Sequence, residues 1–323
     1  MNTELAPVIS SGSTHNSLPS LFTARPDARK RLRDFFSSHI RNRNTRRAYM
    51  EAVRQFAAFC AELGIAELER VEAVHVAAFV ELQLQTNSRP TVKLRLAALR
   101  MLFDWLVVGQ VMASNPAHAV RGPKYTQKKG KTPVLTPGEA RELLDAIDIE
   151  SVVGQRDRAL IALMVYSFAR VGAVLGMRVE DFYVQGRRGW VRLHEKGGKL
   201  HEMPTHHNLD KYLEAYIASA AIGGDRKGPL FRTTRARSGK LTDHAMLQSD
   251  VWRMIRRRPE NAGIETAIGC HSFRATGITA YLKNGGKLEI AQQMANHESA
   301  RTTGLYDRRA DEISLDEVEK ISI

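Results

Sequence analysis

The sequence predicts a mainly α-helical protein with two folded domains and one small antiparallel sheet. Apolar residues recur at helical spacing through most of the chain, and strand-like alternation is confined to one short stretch near residue 190. A chain of 323 residues is long enough for two domains with hydrophobic cores. A basic, proline-containing stretch separates the two helical regions and marks the domain boundary.

The first predicted domain, residues 26–115, follows a polar tail. Residues 1–25 are rich in Ser, Thr and Asn with no sustained period, so we expect them to be disordered. Beyond them, apolar residues lie three and four positions apart, as one face of a helix requires. They are Tyr49, Val53, Phe56 and Cys60 in one segment and Leu94, Leu96, Leu99, Leu102 and Phe103 in another. This pattern predicts about four packed helices without a sheet.

Residues 116–134 are predicted to form a linker. The segment "NPAHAVRGPKYTQKKGKTPV" contains three prolines and two glycines, and all its charged residues are positive. These are Arg121, Lys124, Lys128, Lys129 and Lys131. A solvated connector and a strap along a phosphate backbone are both compatible with this composition.

The second predicted domain covers residues 135–310. Thr136 and Glu139 form a capping box at the start of a helix, with Pro137 at the first helical position. In "GWVRLHEKGGKLHEMPT", residues 190–193 alternate and "KGG" supplies a turn, which predicts a hairpin ending at Pro204. After the hairpin, we expect only helices.

The charge and composition narrow the class of protein. With 48 Lys and Arg against 35 Asp and Glu, the net charge is +13, which favours a nucleic-acid partner over a basic protein without one. No apolar run is long enough to span a bilayer, and the N-terminus lacks the layout of a signal peptide. Two cysteines without a CxxC pattern indicate neither a disulfide framework nor a zinc site. We therefore expect a cytoplasmic, nucleoid-associated protein.

A small set of residues indicates phosphate chemistry. Tyr306 lies nine residues after His297, while His271 and Arg274 are three apart in "CHSFRATGI" and Arg170 stands alone in "YSFARVGAVLGM". A phenol with two histidines and two arginines, and no acidic metal cage in these segments, is typical of phosphate transfer. Each residue also has a structural alternative, such as helix packing for Tyr306, a helix cap for His271 and a Glu265 pair for Arg274.

The motifs "FARV", "KGGK", "HSFR", "NH" and "GLY" resemble, in order and spacing, those of the tyrosine recombinases, or phage-type integrases. The resemblance runs through residues 136–310 and extends more weakly into 26–115. It implies a helical, SAM-like core-binding domain and a catalytic domain that form a C-shaped DNA clamp. The residues that match the catalytic pattern are Arg170, Lys196, His271, Arg274, His297 and Tyr306.

The family's chemistry assigns a role to each of these groups. Arg170 and Arg274 would hold the nonbridging oxygens of the scissile phosphate. A phenol with a pKa of about 10 needs a base or a positive field, which His271 and the arginines supply. Lys196 would protonate the departing 5′ hydroxyl, and His297 would hydrogen-bond the phosphate. The scheme needs neither a metal nor another cofactor.

Some positions depart from the family pattern or leave a choice open. Ala173 stands where the family has an acidic residue three positions after the first arginine, which predicts weaker support of Arg170 and slow or partner-dependent activity. Asn296 replaces the glycine before the second histidine. Lys199 is an alternative to Lys196 from local sequence alone, and family position favours Lys196.

The sequence contains further basic residues that could bind DNA and a group of histidines that could bind a metal. We expect DNA contacts from the basic residues Arg46, Arg47, Lys124, Lys128, Lys129, Lys131, Arg253, Arg256 and Arg257, with a solvated face as the alternative. The histidines of the hairpin region suggest a metal site, but neither cysteines nor paired acids accompany them, so we predict none. These histidines are His194, His201, His206 and His207.

The resemblance implies a site-specific recombinase that acts as a homotetramer on two DNA duplexes through a 3′-phosphotyrosyl intermediate. Integration or excision of a mobile element is favoured over Xer-like multimer resolution, because the sequence after Tyr306 does not resemble the usual Xer ending. A catalytically weak accessory protein and a monomeric type IB topoisomerase are further alternatives. An accessory DNA-bending protein or partner recombinase is a potential partner.

The C-terminal segment, residues 311–323, is acidic where the rest of the chain is basic. Ser314 and Glu317 form a capping box, and Leu315, Val318 and Ile321 would line one face of a short helix. In the family, this segment docks on a neighbouring subunit. We expect the same here, with folding back onto its own domain as the alternative.

Overall fold

The computed structural model describes residues 20–22, 24–127, 130–195, 198–235, 238–308 and 319–321. These residues form two compact units that meet in sequence between Thr126 and Gln127, called here the N-terminal and C-terminal units. Several predictions concern residues outside the described ranges. They are the tail up to residue 19, Lys128, Lys129, Lys196 and most of the C-terminal segment.

The N-terminal unit is built from helices, as predicted, and its described residues contain no strand. The helices are α1 (Pro26–Asp34), α2 (Arg43–Glu62), α3 (Ala73–Thr86) and α4 (Arg89–Val108), with a π turn at Phe35–His39. Asn42 starts α2 because its side-chain oxygen accepts hydrogen bonds from the amides of Asn44 and Thr45 at 3.0 and 3.1 Å.

The core of this unit follows the predicted stripes. Phe56 lies at its centre, with its ring 5.3 Å from that of Phe79 and 5.9 Å from that of Phe103. Leu94 was wrongly placed in the stripe of α4, since 43% of it is exposed while Leu96 is buried. Residues two positions apart on a helix point in different directions, so these two leucines cannot share one face.

The C-terminal unit is mainly helical with small sheets. Its helices are α5 (Pro137–Asp145), α6 (Val152–Tyr166), α7 (Val171–Leu175), α8 (His207–Ser219), α9 (Gln248–Asn261), α10 (Cys270–Lys283), α11 (Leu288–Met294) and α12 (Ala300–Gly304). The predicted capping box of α5 is present: the Glu139 amide donates to Thr136 Oγ1 at 3.2 Å, and the Thr136 amide donates to Glu139 Oε2 at 2.7 Å.

The predicted hairpin is part of a three-stranded antiparallel sheet. Strands β1 (Phe182–Gln185), β2 (Arg188–His194) and β3 (Leu200–Pro204) pair in the order β1-β2-β3. Leu193 pairs with His201, and both Val191 and Leu193 are fully buried, which explains the alternation in the sequence.

The expectation of a single sheet was wrong. Strands β4 (Arg232–Thr234) and β5 (Leu241–Ala245) form a second, two-stranded antiparallel sheet. Both strands are short and their register shifts between Arg232 and Thr234, so neither shows the sustained alternation that identifies a strand in sequence.

Helix α10 runs through the interior of the C-terminal unit against α6. Gly277 permits this close approach, because a Cβ at this position would lie 2.0 Å from the Val165 carbonyl oxygen. The first half of α10 is consequently held firmly in the core. Among the described residues, no helix is both long and apolar enough to cross a membrane.

Candidate active site

The predicted reacting residues come from four separate segments of the C-terminal unit. Arg170 is the N-cap of α7, and His271 and Arg274 lie one turn apart at the start of α10. His297 lies between α11 and α12, and Tyr306 follows α12. The structure brings the other four side chains close to that of Tyr306.

Two of these segments contain unusual backbone turns. Phe168, two residues before Arg170, has a φ of 54°, and Asn296, directly before His297, has a φ of 46°. Non-glycine residues adopt this left-handed region rarely, and asparagine does so more readily than most. The left-handed turn thus explains why asparagine can stand at position 296, where the family has glycine.

Arg274 connects the two turns. Its guanidinium donates a hydrogen bond to the Phe168 carbonyl and another to the Ala295 carbonyl, the latter at 2.6 Å. Only 1% of the residue is exposed, and its Nε, also buried, has no hydrogen-bond partner among the described residues. The predicted alternative partner, Glu265, is not the one that the guanidinium binds. Burial, followed by the charge of Arg170, lowers the pKa of Arg274 to about 10, so the group stays charged at neutral pH.

The Tyr306 hydroxyl forms a hydrogen bond with Nε2 of His271 at 2.6 Å. Tyr306 is 7% exposed, and burial raises the pKa of its phenol, while the charges of Arg274 and Arg170 oppose that rise. A phenol that is neutral in this state donates to the imidazole nitrogen. The bond therefore runs along the path by which the phenol would lose its proton.

Both histidines are neutral at physiological pH. Partial desolvation by the surrounding protein is the main cause that lowers the pKa of His271, whose surface is still exposed, and the charges of Arg274 and Arg170 add to it. The same causes lower the pKa of His297 to about 3. A neutral imidazole can accept a proton or a hydrogen bond at one nitrogen, which suits His271 to the role of a base.

His297 packs flat against the nucleophile candidate. Its ring lies parallel to that of Tyr306, with centroids 5.8 Å apart, and its Nδ1 contacts Thr303 Oγ1 at 2.9 Å. Thr279 Oγ1 also donates to the Tyr306 carbonyl at 3.1 Å. The tyrosine is thus fixed through both its ring and its backbone.

Arg170 has an acidic partner that sequence reasoning missed. Its Nη1 donates to Glu195 Oε2 at 2.7 Å. The Glu195 side chain is only 4% exposed, whereas that of Arg170 is 41% exposed. Weak support of Arg170 was predicted from Ala173 alone. Glu195 lies 25 residues further along the chain, so no local pattern indicated its carboxylate.

The β2–β3 hairpin is attached to the segment around His297. Lys199 Nζ lies 3.2 Å from Glu298 Oε1, and His201 Nε2 contacts the Met294 carbonyl at 3.1 Å. This ion pair of Lys199, the alternative to Lys196, is exposed on both sides. Lys196 itself lies outside the described residues.

The predicted DNA-binding residues have different environments. In the N-terminal unit, Arg47 and Lys124 are exposed, but Arg46 donates to the Ile40 carbonyl at 2.9 and 3.1 Å. In the C-terminal unit, the exposed residues are Lys131, Arg253, Arg256 and Arg257. Sequence reasoning could not distinguish Arg46 from its neighbour, because both are cations on the same helix.

The histidines considered for a metal have other partners. His194 Nε2 lies 2.9 Å from Asp181 Oδ2, and the ring of His206 stacks on that of Tyr166 at 4.3 Å. Within the described residues, no group of three or more His, Cys, Asp or Glu side chains is arranged to hold a metal ion.

Comparison with known proteins identifies relatives for both units. Residues 133–312 match the model of the phage integrase family, and residues 32–109 match that of the phage integrase N-terminal SAM-like domain. Tyrosine recombinase XerC of Thermodesulfovibrio yellowstonii is 28% identical over 283 residues, which cover 84% of this chain and 89% of XerC. Tyrosine recombinase XerD of Shewanella oneidensis is 25% identical over 279 residues, 85% of this chain and 89% of XerD.

Solved structures share the fold. XerH bound to a difH substrate before cleavage has a TM-score of 0.66 at 16% identity, covering 95% of this chain and 97% of XerH. A lambda integrase dimer bound to a COC′ core site has a TM-score of 0.68 at 19% identity, covering 88% of this chain and 79% of the integrase.

Proposed function

The chain belongs to the phage integrase family and is a tyrosine recombinase, which cuts and rejoins DNA at specific sites, and we propose that Tyr306 is its nucleophile. The observation that supports this assignment most directly is the 2.6 Å hydrogen bond between the Tyr306 hydroxyl and His271 Nε2. A buried phenol that is paired with a neutral base, beside two arginines, is prepared to attack a phosphate.

The proposed cleavage step transfers one proton and exchanges one bond. The phenol oxygen attacks the scissile phosphorus while its proton passes to His271 Nε2. The bond from phosphorus to the 5′ oxygen breaks, which leaves a 3′-phosphotyrosyl ester and a 5′ oxygen that must gain a proton. The resemblance to the family favours Lys196 as the donor of that proton. Attack by a 5′ hydroxyl of another strand reverses the step and rejoins the DNA.

The arginines would stabilise the charge that develops on the nonbridging oxygens. Arg274 uses two of its five N–H donors on backbone carbonyls, so its remaining donors, including the unpartnered Nε, are free of those bonds. Arg170 is half-exposed and presents a second guanidinium to incoming DNA. Because the two guanidinium groups are in place before the substrate arrives, they need little rearrangement in the transition state.

His297 would donate a hydrogen bond to the same phosphate. If the Thr303 hydroxyl donates to Nδ1, the proton of the neutral ring is on Nε2 and can be donated. The pKa of about 3 keeps His297 in this neutral state over the whole physiological range.

Binding of DNA would use the exposed cations in both units. On α9, Arg253, Arg256 and Arg257 are exposed within about one helical turn, and Arg256 lies over the ring of Trp252 at 5.6 Å. Such a cluster can contact several phosphates with release of counterions. The linker lysines at positions 124 and 131 would extend these contacts.

We further propose that the recombination integrates or excises a mobile element as a tetramer. The sequence "YDRRADEISLDEV" after Tyr306 differs from the usual Xer ending, and the integrase of the transposon Tn1549 has the same fold, with a TM-score of 0.61. Lambda integrase forms a tetramer on a Holliday junction, which is the precedent for the assembly. Xer-like multimer resolution is the alternative, supported by the XerC and XerD relatives.

Covalent trapping tests the nucleophile. The protein is incubated with a pool of nicked suicide duplexes of randomised sequence, and protein–DNA adducts are recovered and sequenced. We expect adducts with the wild type and none with Tyr306→Phe. Tyr216→Phe is the matched control, because the Tyr216 hydroxyl is also buried but donates to the Leu230 carbonyl at 2.9 Å. Equal adduct from Tyr306→Phe would contradict the assignment.

The sequences recovered in this way distinguish the two biological roles. Paired sites are placed on one plasmid in direct repeat, or one site on each of two plasmids. A mobile-element recombinase should join the two plasmids, whereas exclusive resolution of the direct repeat would favour the Xer-like role.

The subunit contact proposed for the C-terminal segment has its own test. Deletion of residues 312–323 should leave the affinity for a single site nearly unchanged and strongly reduce recombination between two sites. Wild-type recombination by the truncated protein would contradict the proposal.

A further inference from the structure

The ion pair between Arg170 and Glu195 points to a residue that assists catalysis without touching DNA. We propose that Glu195 is the positioning residue of Arg170, and that it replaces the acidic side chain missing at position 173. This inference rests on the proposed role of Arg170 as a ligand of the scissile phosphate. It offers an alternative to the expectation that Ala173 weakens the support of the arginine.

The burial of Glu195 shows that its carboxylate is committed to this arginine. The side chain is 4% exposed, and its hydrogen bond among the described residues is the one from Arg170 Nη1 at 2.7 Å. An ionised carboxylate is stable at such a depth only with a charged or hydrogen-bonding partner. The pair is asymmetric, because the arginine is much more exposed than the carboxylate. The buried carboxylate therefore acts as a fixed support for a half-exposed guanidinium.

The hairpin does not need this side chain in order to close. The Glu195 amide donates to the Lys199 carbonyl at 2.8 Å, so backbone bonds already continue the β2–β3 ladder past residue 194. The carboxylate is thus available for a task other than folding the hairpin. Glu195 directly precedes the proposed general acid, Lys196, in the sequence, so the ion pair holds the residue before Lys196 beside Arg170.

The negative charge of Glu195 also acts on the second arginine. The charge of Arg170 lowers the pKa of Arg274, and the charge of Glu195 raises it. Two guanidinium groups that converge on one phosphate repel each other until the phosphate binds. Glu195 reduces this repulsion in the free protein. Its single hydrogen bond to Arg170 uses only Nη1, so the other nitrogens of that guanidinium are not bound by Glu195.

Position 173 offers a second route to the same guanidinium. Ala173 is the third residue after the N-cap Arg170, and its amide donates to the Arg170 carbonyl at 2.9 Å. In a capping box, an acidic side chain at this helix position turns back to the backbone amide of the N-cap residue, which brings its carboxylate close to Arg170. Ala173 is buried, so a carboxylate there would compete with Glu195 for one arginine.

A relocation experiment tests the proposal. Single-turnover cleavage at saturating DNA, DNA affinity and thermal stability are measured for Glu195→Gln, Ala173→Glu and the double variant. Glu195→Gln should slow cleavage roughly ten- to a hundredfold, by analogy with the effect of removing a group that orients a metal ligand. The double variant should regain most of that rate, whereas Ala173→Glu alone should give no gain. Rescue by a side chain on α7 cannot come from repair of the hairpin.

Controls separate positioning from folding and from the proposed function. Glu202→Gln removes another carboxylate of the same sheet, paired with Arg192 at 2.7 Å, and should cleave at the wild-type rate. Ala173→Asp replaces Ala173→Glu if the longer side chain prevents folding. Wild-type cleavage by Glu195→Gln, or a folded double variant as slow as Glu195→Gln, would overturn the role of Glu195. The proposed function is judged separately, by whether the wild-type protein forms the Tyr306 adduct.

Discussion

The two units bury different kinds of side chain. In the N-terminal unit, the buried side chains are hydrophobic, and its basic residues lie at or near the surface. All the buried polar and charged side chains found among the described residues belong to the C-terminal unit. Some of these hold the fold, such as Arg156 and Asp157, which pair with each other at 2.7 Å while the less buried Arg258 binds Asp157 from the other side at 2.5 Å. Others surround Tyr306.

This difference separates two ways of losing activity. A change in the N-terminal core can act only through stability or through the surface that the helices present. A change in the C-terminal core can remove a reacting group while the fold persists, or can do both at once. Among the described residues, buried charge, which is costly to fold around, is confined to the unit that carries the candidate site.

The largest effect is expected from Arg274→Ala, because this one residue serves both the reaction and the stability of the fold. Cleavage should fall roughly 10²–10³-fold or more, because a donor to the transition state is lost. Stability should also fall, by roughly 1–3 kcal/mol for each carbonyl left without a donor. Adduct formation and urea unfolding measure the two effects. A loss of cleavage at unchanged stability would show that the bonds to Phe168 and Ala295 contribute nothing to the fold.

Phe56→Ala should show the opposite behaviour in the N-terminal unit. Removing a fully buried ring that contacts two others should lower stability by roughly 3–5 kcal/mol. Urea unfolding followed by far-UV circular dichroism measures this. Val108→Ala, at a position 77% exposed, is the control and should change stability by less than about 0.5 kcal/mol. A small loss for Phe56→Ala would mean that this core is loosely packed.

Acid sensitivity should distinguish His297 from the surface histidines. The unfolded chain protonates this imidazole near its ordinary pKa of 6.5, whereas the folded protein does so only at about 3. Its contribution to stability is therefore complete above pH 6.5 and declines as the pH falls toward 3, by roughly 1.4 kcal/mol per pH unit. Between pH 7 and 5, the unfolding free energy of the wild type should fall more steeply with decreasing pH than that of His297→Asn, and the two slopes should differ by this amount. Parallel curves would contradict the lowered pKa.

The smallest effects should distinguish two neighbouring arginines of α2. Arg47→Ala should reduce the salt dependence of DNA binding by about 0.9 in the slope of log K against log salt, the value for one phosphate contact. Arg46→Ala should instead lower stability by about 1 kcal/mol, because its guanidinium binds the Ile40 carbonyl. Fluorescence anisotropy at several salt concentrations, together with urea unfolding, checks both. Identical behaviour of the two variants would remove the distinction.

Features encoded by neighbouring residues were predictable from the sequence. The capping box of Thr136 and Glu139 and the alternation before the hairpin turn each lie within a few residues, so local patterns specify them. The family motifs selected the residues that the fold gathers around Tyr306. The short β4 and β5 strands were missed because they contain too few residues to show a period.

Features that depend on distant contacts were not predictable. Glu195 supports Arg170 only because the hairpin folds beside the start of α7, and no local pattern records this. The two carbonyls that bind Arg274 become acceptors because Phe168 and Asn296 adopt left-handed turns. The difference between Arg46 and Arg47 likewise depends on a tertiary contact, because only Arg46 binds the Ile40 carbonyl that precedes α2.

The bonds of Arg274 have an evolutionary consequence. A descendant that abandoned catalysis could lose Tyr306 or His271 by substitutions that leave the main chain in place. It could not replace Arg274 so easily, because the turns before α7 and before His297 would lose a shared donor. Inactive copies of this protein should therefore keep this arginine long after the tyrosine has gone, so its presence in a sequence is a weaker sign of activity than the presence of Tyr306.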